Sequence, residues 1–384
     1  MYKIITFISF LLLVSSTAQS QIKVGCEQFD QYMPIIKGKK IGIVANQTTM
    51  CGDVHLVDKL HAEAIDIKYI FSPEHGFRGE LDAGQSVENS KDQRTGIKMI
   101  SLYGAVKSPP DSCMRGIDFL IYDLQDVGVR YFTYISTLKY CMEAAARNGK
   151  TLIVLDRPNP NGCYTDGPVL DMKYRSFVGE FPIPVVYGMT VGELAQMILG
   201  EGWLDGGAKC DLKIIQCKDY SHNMRYRLPV KPSPNLPDMQ AVYLYPSTCY
   251  FEATALSVGR GTASPFKIFG HPNMKEYTFK FTPHSTIGAK NPPLKDIVCH
   301  GRDLSSLSND DIISEGVNLE YIIEAYKSMG GGTKFFTSFF EKLVGVSYVR
   351  SMIIDGKTAE QIKAHWTPDI TNFKNKREKY LLYD

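Results

Sequence analysis

Ile41-Gly42-Ile43-Val44-Ala45-Asn46-Gln47-Thr48 opens with residues suited to burial on both faces and then changes abruptly to polar side chains. Such a run fits a strand of a parallel sheet covered by helices, where an antiparallel strand with one wet face would alternate. Four more runs of this kind follow, at residues 65–71, 98–102, 119–122 and 151–155. Helical periodicity falls between them. The clearest helix covers residues 133–148, with Ile135, Leu138, Met142 and Ala145 on one stripe and Gly149 as its stop. A second begins at Thr190, which has capping-box spacing to Glu193 ahead of Leu194, Met197 and Ile198. Strands alternating with helices make a doubly wound α/β domain.

On the N-terminal side, Lys3 precedes an apolar run from Ile4 to Val14 and a small, polar flank that ends near Ser20. That order is a secretory signal peptide, and the run is shorter than the ~20 apolar residues a spanning helix needs. Residues 1–20 are therefore set apart from the fold, and the mature chain is expected outside the cytoplasm, periplasmic or secreted. Cys26 invites a lipoprotein reading, but Lys23 interrupts the apolar part of that motif and Cys26 lies far from the run. The chain has 384 residues, enough for two domains. Four prolines, Pro229, Pro232, Pro234 and Pro237, exclude a regular helix or central strand at residues 228–237 and mark the boundary. Residues 21–230 then form the first domain and 231–384 the second. In the latter Tyr277, Phe279 and Phe281 alternate like a half-buried strand. Helices are expected at 318–329, at 334–343 and from Thr358, which pairs with Gln361 as a cap.

A formal net charge of +2, with 22% charged residues, gives no general reason to bind nucleic acid or a membrane surface, so anion recognition has to be local. The nine cysteines are scattered without CxxC spacing, and their odd number leaves at least one free or paired between chains. Cys141 lies on an apolar helix face and reads as core. No GxGxxG follows the first strand, so a dinucleotide is not expected. A Walker loop, a GxSxG elbow and an HExxH motif are also missing, and the eight histidines form no metal-ligand cluster. Glu74 with His75 could still join a distant ligand.

Open α/β sheets bind ligands at the carboxyl ends of their strands. Four polar exits share that edge here: Asn46-Gln47-Thr48, Ser72-Pro73-Glu74-His75-Gly76, Asp123-Leu124-Gln125-Asp126 and Asp156-Arg157-Pro158-Asn159. Each alone could be turn chemistry; together they suggest a site. Glu74, fixed between Pro73 and Gly76, is suited to general acid, base or nucleophile work according to its surroundings. Asp123, Asp126, Asp156 or Glu252 could be its acidic partner. Glu252 sits among aromatic and small residues, where an unpaired carboxylate would be costly. Two carboxylates flanking a labile bond are the usual glycosidase arrangement. Arg78, Arg130, Arg157 and Arg260 either pair with these acids or bind an anionic substrate group. Phe77, Tyr103, Tyr131, Tyr134 and Tyr187 offer faces for a sugar ring or belong to the core.

Several of these segments together resemble a known family. The segments from Ser72 through Phe77-Arg78-Gly79, from Asp123 through Val127-Gly128-Val129-Arg130-Tyr131-Phe132-Thr133-Tyr134, and Asp156-Arg157-Pro158-Asn159-Pro160 resemble the exo-β-N-acetylmuramidase family, formerly a domain of unknown function. Pro184, Tyr187-Gly188-Met189-Thr190 with Glu193, Ser233-Pro234-Asn235-Leu236-Pro237, Glu252 with Val258-Gly259-Arg260-Gly261-Thr262, and the closing Arg377-Glu378-Lys379-Tyr380-Leu381-Leu382-Tyr383 extend the likeness over nearly the whole mature chain. Ala253 departs from it, standing where the pattern has glycine.

The resemblance implies a Rossmann-like doubly wound parallel sheet with a smaller α+β auxiliary domain, and a site in the cleft between them. It also implies release of β-1,4-linked N-acetylmuramic acid from the non-reducing end of peptidoglycan fragments, without a cofactor. On this reading Glu74 is the leading catalytic carboxylate, His75 orients it, and Glu252 or Asp126 is the second acid, unless the substrate's own acetamido oxygen takes that part. Asn46, Arg78, Asp123, Gln125, Arg130, Tyr131, Asp156, Arg157, Asn159, Tyr187 and Arg260 are the candidate substrate-binding residues. The rival readings are a periplasmic binding protein for wall fragments and an esterase or amidase acting on wall peptides.

Overall fold

The computed structural model describes residues 22–74, 76–78, 90–332 and 334–384. The leader expected at residues 1–20 and the candidate His75 lie outside the described residues. Six strands form one parallel sheet: β1 (Lys40–Ala45), β2 (Asp66–Ser72), β3 (Lys98–Ser101), β4 (Phe119–Asp123), β5 (Thr151–Leu155) and β6 (Asp211–Ile215). Their order across the sheet is β3-β2-β1-β4-β5-β6. This is the Rossmann order, with its reversal between β1 and β4.

The five expected strands are all present. The sixth, β6, had no sequence signal of the same kind because it is an edge strand: Asp211 and Lys213 are exposed, and only Ile215 is fully buried. The central strands are apolar on both sides because each side meets a different core. Ile41, Ile43, Ile121 and Ile153 pack with Tyr32, Ile36, Leu56 and Leu60 on one face. Val44, Leu120, Tyr122, Leu152 and Val154 pack on the other against helix α1 (Tyr134–Arg147) and helix α2 (Val191–Gly200). Gly42 is required where β1 is closest to its neighbours, since a Cβ there would lie 2.8 Å from the Phe71 ring.

The second core continues without a break into the C-terminal part of the chain. There a smaller antiparallel sheet, in the order β8-β9-β7, is built from β7 (Ile268–His271), β8 (Phe279–Phe281) and β9 (Cys299–Asp303). It packs with helices α3 (Met239–Thr248), α4 (Glu320–Ser328) and α5 (Ala359–Arg377). Both expected capping boxes, Thr190 with Glu193 and Thr358 with Gln361, are formed. The helix expected at 334–343 is instead confined to Phe340–Val344. Phe335 and Phe336 join an aromatic cluster with Tyr326, and the backbone around them bonds to the loop at residues 253–255, which takes the donors and acceptors a helix would use.

The chain end returns to the first lobe. Tyr383 donates its hydroxyl to Asp156 at 2.6 Å, and the Leu382 amide donates to Glu193 at 2.7 Å. Arg130 ties the lobes from within: its guanidinium, fully buried, donates to the carbonyls of Pro168 and Ile183 on one side and of Leu343 and Val344 on the other.

Candidate active site

Glu74 follows β2 directly, and the turn closes with the Gly76 amide donating to the Pro73 carbonyl at 3.2 Å. Its carboxylate accepts a hydrogen bond from the Thr133 hydroxyl at 3.3 Å, and Thr133 is the residue preceding α1. Tyr103, just past β3, supplies a second hydroxyl. Burial, then the charge of Glu74 and the hydrogen bond to it, push the Tyr103 phenol up to about 12. Three exits of the sheet thus meet at one carboxylate: β2 provides it, and the segments after β3 and β4 provide its donors.

The second lobe contributes the facing acid. Glu252 lies in a short 3-10 helix, Cys249–Ala253, that continues α3, and its carboxylate is 2.6 Å from the Arg260 Nε. Arg260 stands between Gly259 and Gly261, both with left-handed φ of 77° and 80°. Side chains there would be strained, and a Cβ on Gly261 would come within 2.3 Å of the His284 carbonyl oxygen. This tight turn lays the guanidinium over the Phe266 ring at 5.3 Å. Burial works against the charge on Arg260, but the Glu252 carboxylate outweighs it and holds the guanidinium above its ordinary value. The two side chains remain 24% and 23% exposed.

Glu74, Glu252 and Arg260 line one cavity of about 190 Å³, walled by Tyr103, Tyr131, Phe132, Tyr134, Phe177 and Tyr245 and further closed by Asn235, Phe266 and Phe339. Rings facing two carboxylates and one cation suit a sugar, whose apolar faces stack while its hydroxyls and substituents need polar partners. Thr133, Tyr245, Phe266 and Phe339 were not singled out from sequence. Thr133 reads there as a helix start and the rings read as core, so only the fold reveals that they face a cavity.

The remaining candidates are used elsewhere. Asp126 is 3% exposed, accepts from the Gly128 amide at 2.6 Å and from the Tyr187 hydroxyl, and is pushed up to about 6 by burial. Neither Asp126 nor Tyr187 lines the cavity. Asp123 and Arg157 form a buried ion pair of 2.5 Å. Arg78 is taken by Asp58 and Asp92, both at 3.0 Å. Asp156 accepts from Thr190, from the Gly192 amide and from Tyr383, and burial raises it to about 6. Asn159 and Gln125 brace neighbouring carbonyls. Asn46 receives the Thr48 amide and donates to Tyr134 at 2.7 Å, so it touches the cavity wall without lining the cavity. Arg130 donates only to carbonyls, with no carboxylate to offset burial, which brings it down to about 10. Tyr131 lines the cavity with its ring while its hydroxyl donates to the Pro246 carbonyl. Cys141 is buried in the core, and all nine cysteines are free. No three His, Cys, Asp or Glu side chains converge as a metal site among the described residues. No helix among them is long and apolar enough to cross a membrane.

Comparison with known proteins covers both lobes. Residues 41–240 match the family model described as the N-terminal part of exo-β-N-acetylmuramidase NamZ, and residues 243–383 match its C-terminal part. The peptidoglycan β-N-acetylmuramidase NamZ of Bacillus subtilis is 35% identical over 374 residues, covering 92% of this chain and 89% of that protein. A crystal structure of a DUF1343 family protein from Bacteroides fragilis superposes with a TM-score of 0.89 at 50% identity, covering 95% of this chain and 99% of the other. A second from the same organism gives 0.76 at 29% identity, covering 94% and 99%.

Proposed function

This chain belongs to the exo-β-N-acetylmuramidase family, and on that premise we propose how its cavity releases β-1,4-linked N-acetylmuramic acid from the non-reducing end of peptidoglycan fragments. It is an exo-acting glycoside hydrolase; family membership favours this over the binding-protein and the esterase or amidase readings. Glu74 is the general acid that protonates the leaving glycosidic oxygen. Its partners, Thr133 and Tyr103, are neutral hydroxyls that can accept as well as donate, so they hold the carboxyl in place in either protonation state. Glu252, matched by the fixed cation Arg260, is the second carboxylate at the reacting carbon. The observation that carries this assignment is that acids from two different lobes line a single ring-walled cavity.

Arg260 also supplies the positive charge suited to the lactyl carboxylate that distinguishes muramic acid from glucosamine. Residues 1–20 support export, which would put the enzyme, periplasmic or secreted, where its substrate is.

A Glu74→Gln variant tests the assignment on a chromogenic muramide. Turnover should fall about 10³-fold, within the range for removal of a general acid, with the melting temperature preserved. A normally folded variant with wild-type turnover would overturn it.

A further inference from the structure

Between the two lobes the chain runs over the surface as a strap, and it concentrates positive charge there. Arg225, Arg227 and Lys231 fall within this short segment, in a chain whose formal net charge is only +2. The strap borders two grooves, of about 750 and 930 Å³, and Arg225, Arg227 and Pro229 line both. The smaller groove abuts the catalytic cavity. Leu236 lines the groove and the cavity alike, and Pro232 of the groove wall accepts a hydrogen bond at 3.3 Å from Tyr134 of the cavity wall.

The charge in this smaller groove is unmatched. Its single carboxylate among the described residues, Asp238, is held by Lys267 at 2.7 Å. Arg225 comes no closer than 3.7 Å to Asp310, which is 88% exposed. Arg227 and Lys231 have no side-chain partner among the described residues. Exposed cations are ordinarily just solvated. Here they rim a concave surface with proline walls, where field lines concentrate and the backbone is already stiff. The cavity behind the strap has only about 190 Å³, so most of a wall fragment must lie outside it.

We propose that this groove is an aglycone-side subsite for a carboxylate carried by the glycan beyond the scissile bond, with Arg227 its main reader and Lys231 and Arg225 its supporting charges. The inference rests on the muramidase reading. Muramic acid recurs at every second sugar of a wall glycan. Each copy bears a lactyl carboxyl that is either free or extended by a peptide ending in carboxylates. Both sources present the same chemistry, and an arginine fork suits it. The enzyme would thus favour fragments longer than a disaccharide.

The test compares wild type with an Arg227→Ala, Lys231→Ala double variant on three substrates. These are the disaccharide MurNAc-GlcNAc, whose aglycone has no carboxylate, the peptide-free trisaccharide MurNAc-GlcNAc-MurNAc, and its peptide-bearing form. Neither side chain supports the fold, so the variant should melt with wild type. KM for the carboxylate-bearing aglycones should rise about tenfold, the scale of one charge-assisted contact, and high salt should erase the difference. KM for the disaccharide and kcat for all three should hold. An effect on the peptide-free trisaccharide identifies the lactyl carboxylate as the ligand, and one confined to the peptide-bearing form identifies the peptide. Equal changes on all three substrates, or none on any, overturn the proposal. If wild type cleaves none of them, the muramidase reading is what fails. Direct titration of the peptide-bearing fragment then decides the groove, and equal Kd for the two proteins overturns it.

Discussion

Arg157 meets Asp123 at 2.5 Å beside the carboxyl edge of the sheet, and Arg260 meets Glu252 at 2.6 Å in the second lobe. The chemistry is the same, but the surroundings divide the roles. In the first pair the side chains are 2% and 0% exposed, and the Arg157 Nη2 that donates to Asp123 also donates to the Met50 carbonyl at 2.8 Å. Neither side chain lines the ring-walled cavity. In the second pair about a quarter of each side chain stays exposed, and both face a cavity. Exposure to the ring-walled cavity, more than residue type or position at a strand end, separates a site from a scaffold.

Truncating the two arginines puts the largest effect on this contrast. Arg157→Met strands Asp123 in the interior, and breaking a buried pair in this way costs about 3–5 kcal/mol. Thermal unfolding should shift down by roughly 6–15 °C, with turnover per folded molecule nearly unchanged at low temperature. Arg260→Met should do the reverse: a small change in melting, since a partly exposed pair contributes about 0–1 kcal/mol, and a loss of about 30-fold or more in kcat/KM on muramides. Matching stability losses in the two variants would erase the distinction.

The two strand exits occupied by Asp126 and Asp156 sharpen it further through pH. Burial raises both carboxyls to about 6, so the folded state holds protons that the unfolded chain gives up nearer pH 4. Bound protons are then more numerous in the folded state across that window, and stability falls as pH rises from about 4 to about 6. A shift of this size corresponds to about 2–3 kcal/mol per group. Denaturation midpoints measured across the window should show the slope, and Asp156→Asn should flatten it by about half. A slope unchanged in the variant would mean that Asp156 titrates alike in both states.

Much of the sheet was legible because strands buried on both faces must be apolar throughout, as residues 41–45 are. The edge strand β6 escaped notice because one row of its side chains is wet. All four polar exits do share an edge, and Glu74 was already the leading acid, with Glu252 or Asp126 as its candidate partner. What sequence withholds is which polar groups are already satisfied. Asp156 depends on a tyrosine at the far end of the chain, and Arg130 on carbonyls of Leu343 and Val344. Backbone carbonyls carry no sequence signature, so a buried structural arginine reads like a substrate reader.

Tyr103 offers the finest cut, because its phenol stands on the border between wall and machinery. As wall it contributes a ring; as machinery it contributes a hydroxyl to Glu74. Tyr103→Phe keeps the ring and removes only the hydrogen bond. Thr133 still holds the carboxylate at 3.3 Å, so Glu74 stays in place but with more freedom. One lost hydrogen bond to a charged group is worth about 1.5 kcal/mol, and a looser acid is felt mainly in the chemical step. The expected result on a chromogenic muramide is therefore a fall of about tenfold in kcat, with KM within about twofold and no change in melting. A rise in KM at constant kcat would instead make Tyr103 a binding surface and leave Thr133 as the hydroxyl that positions the acid.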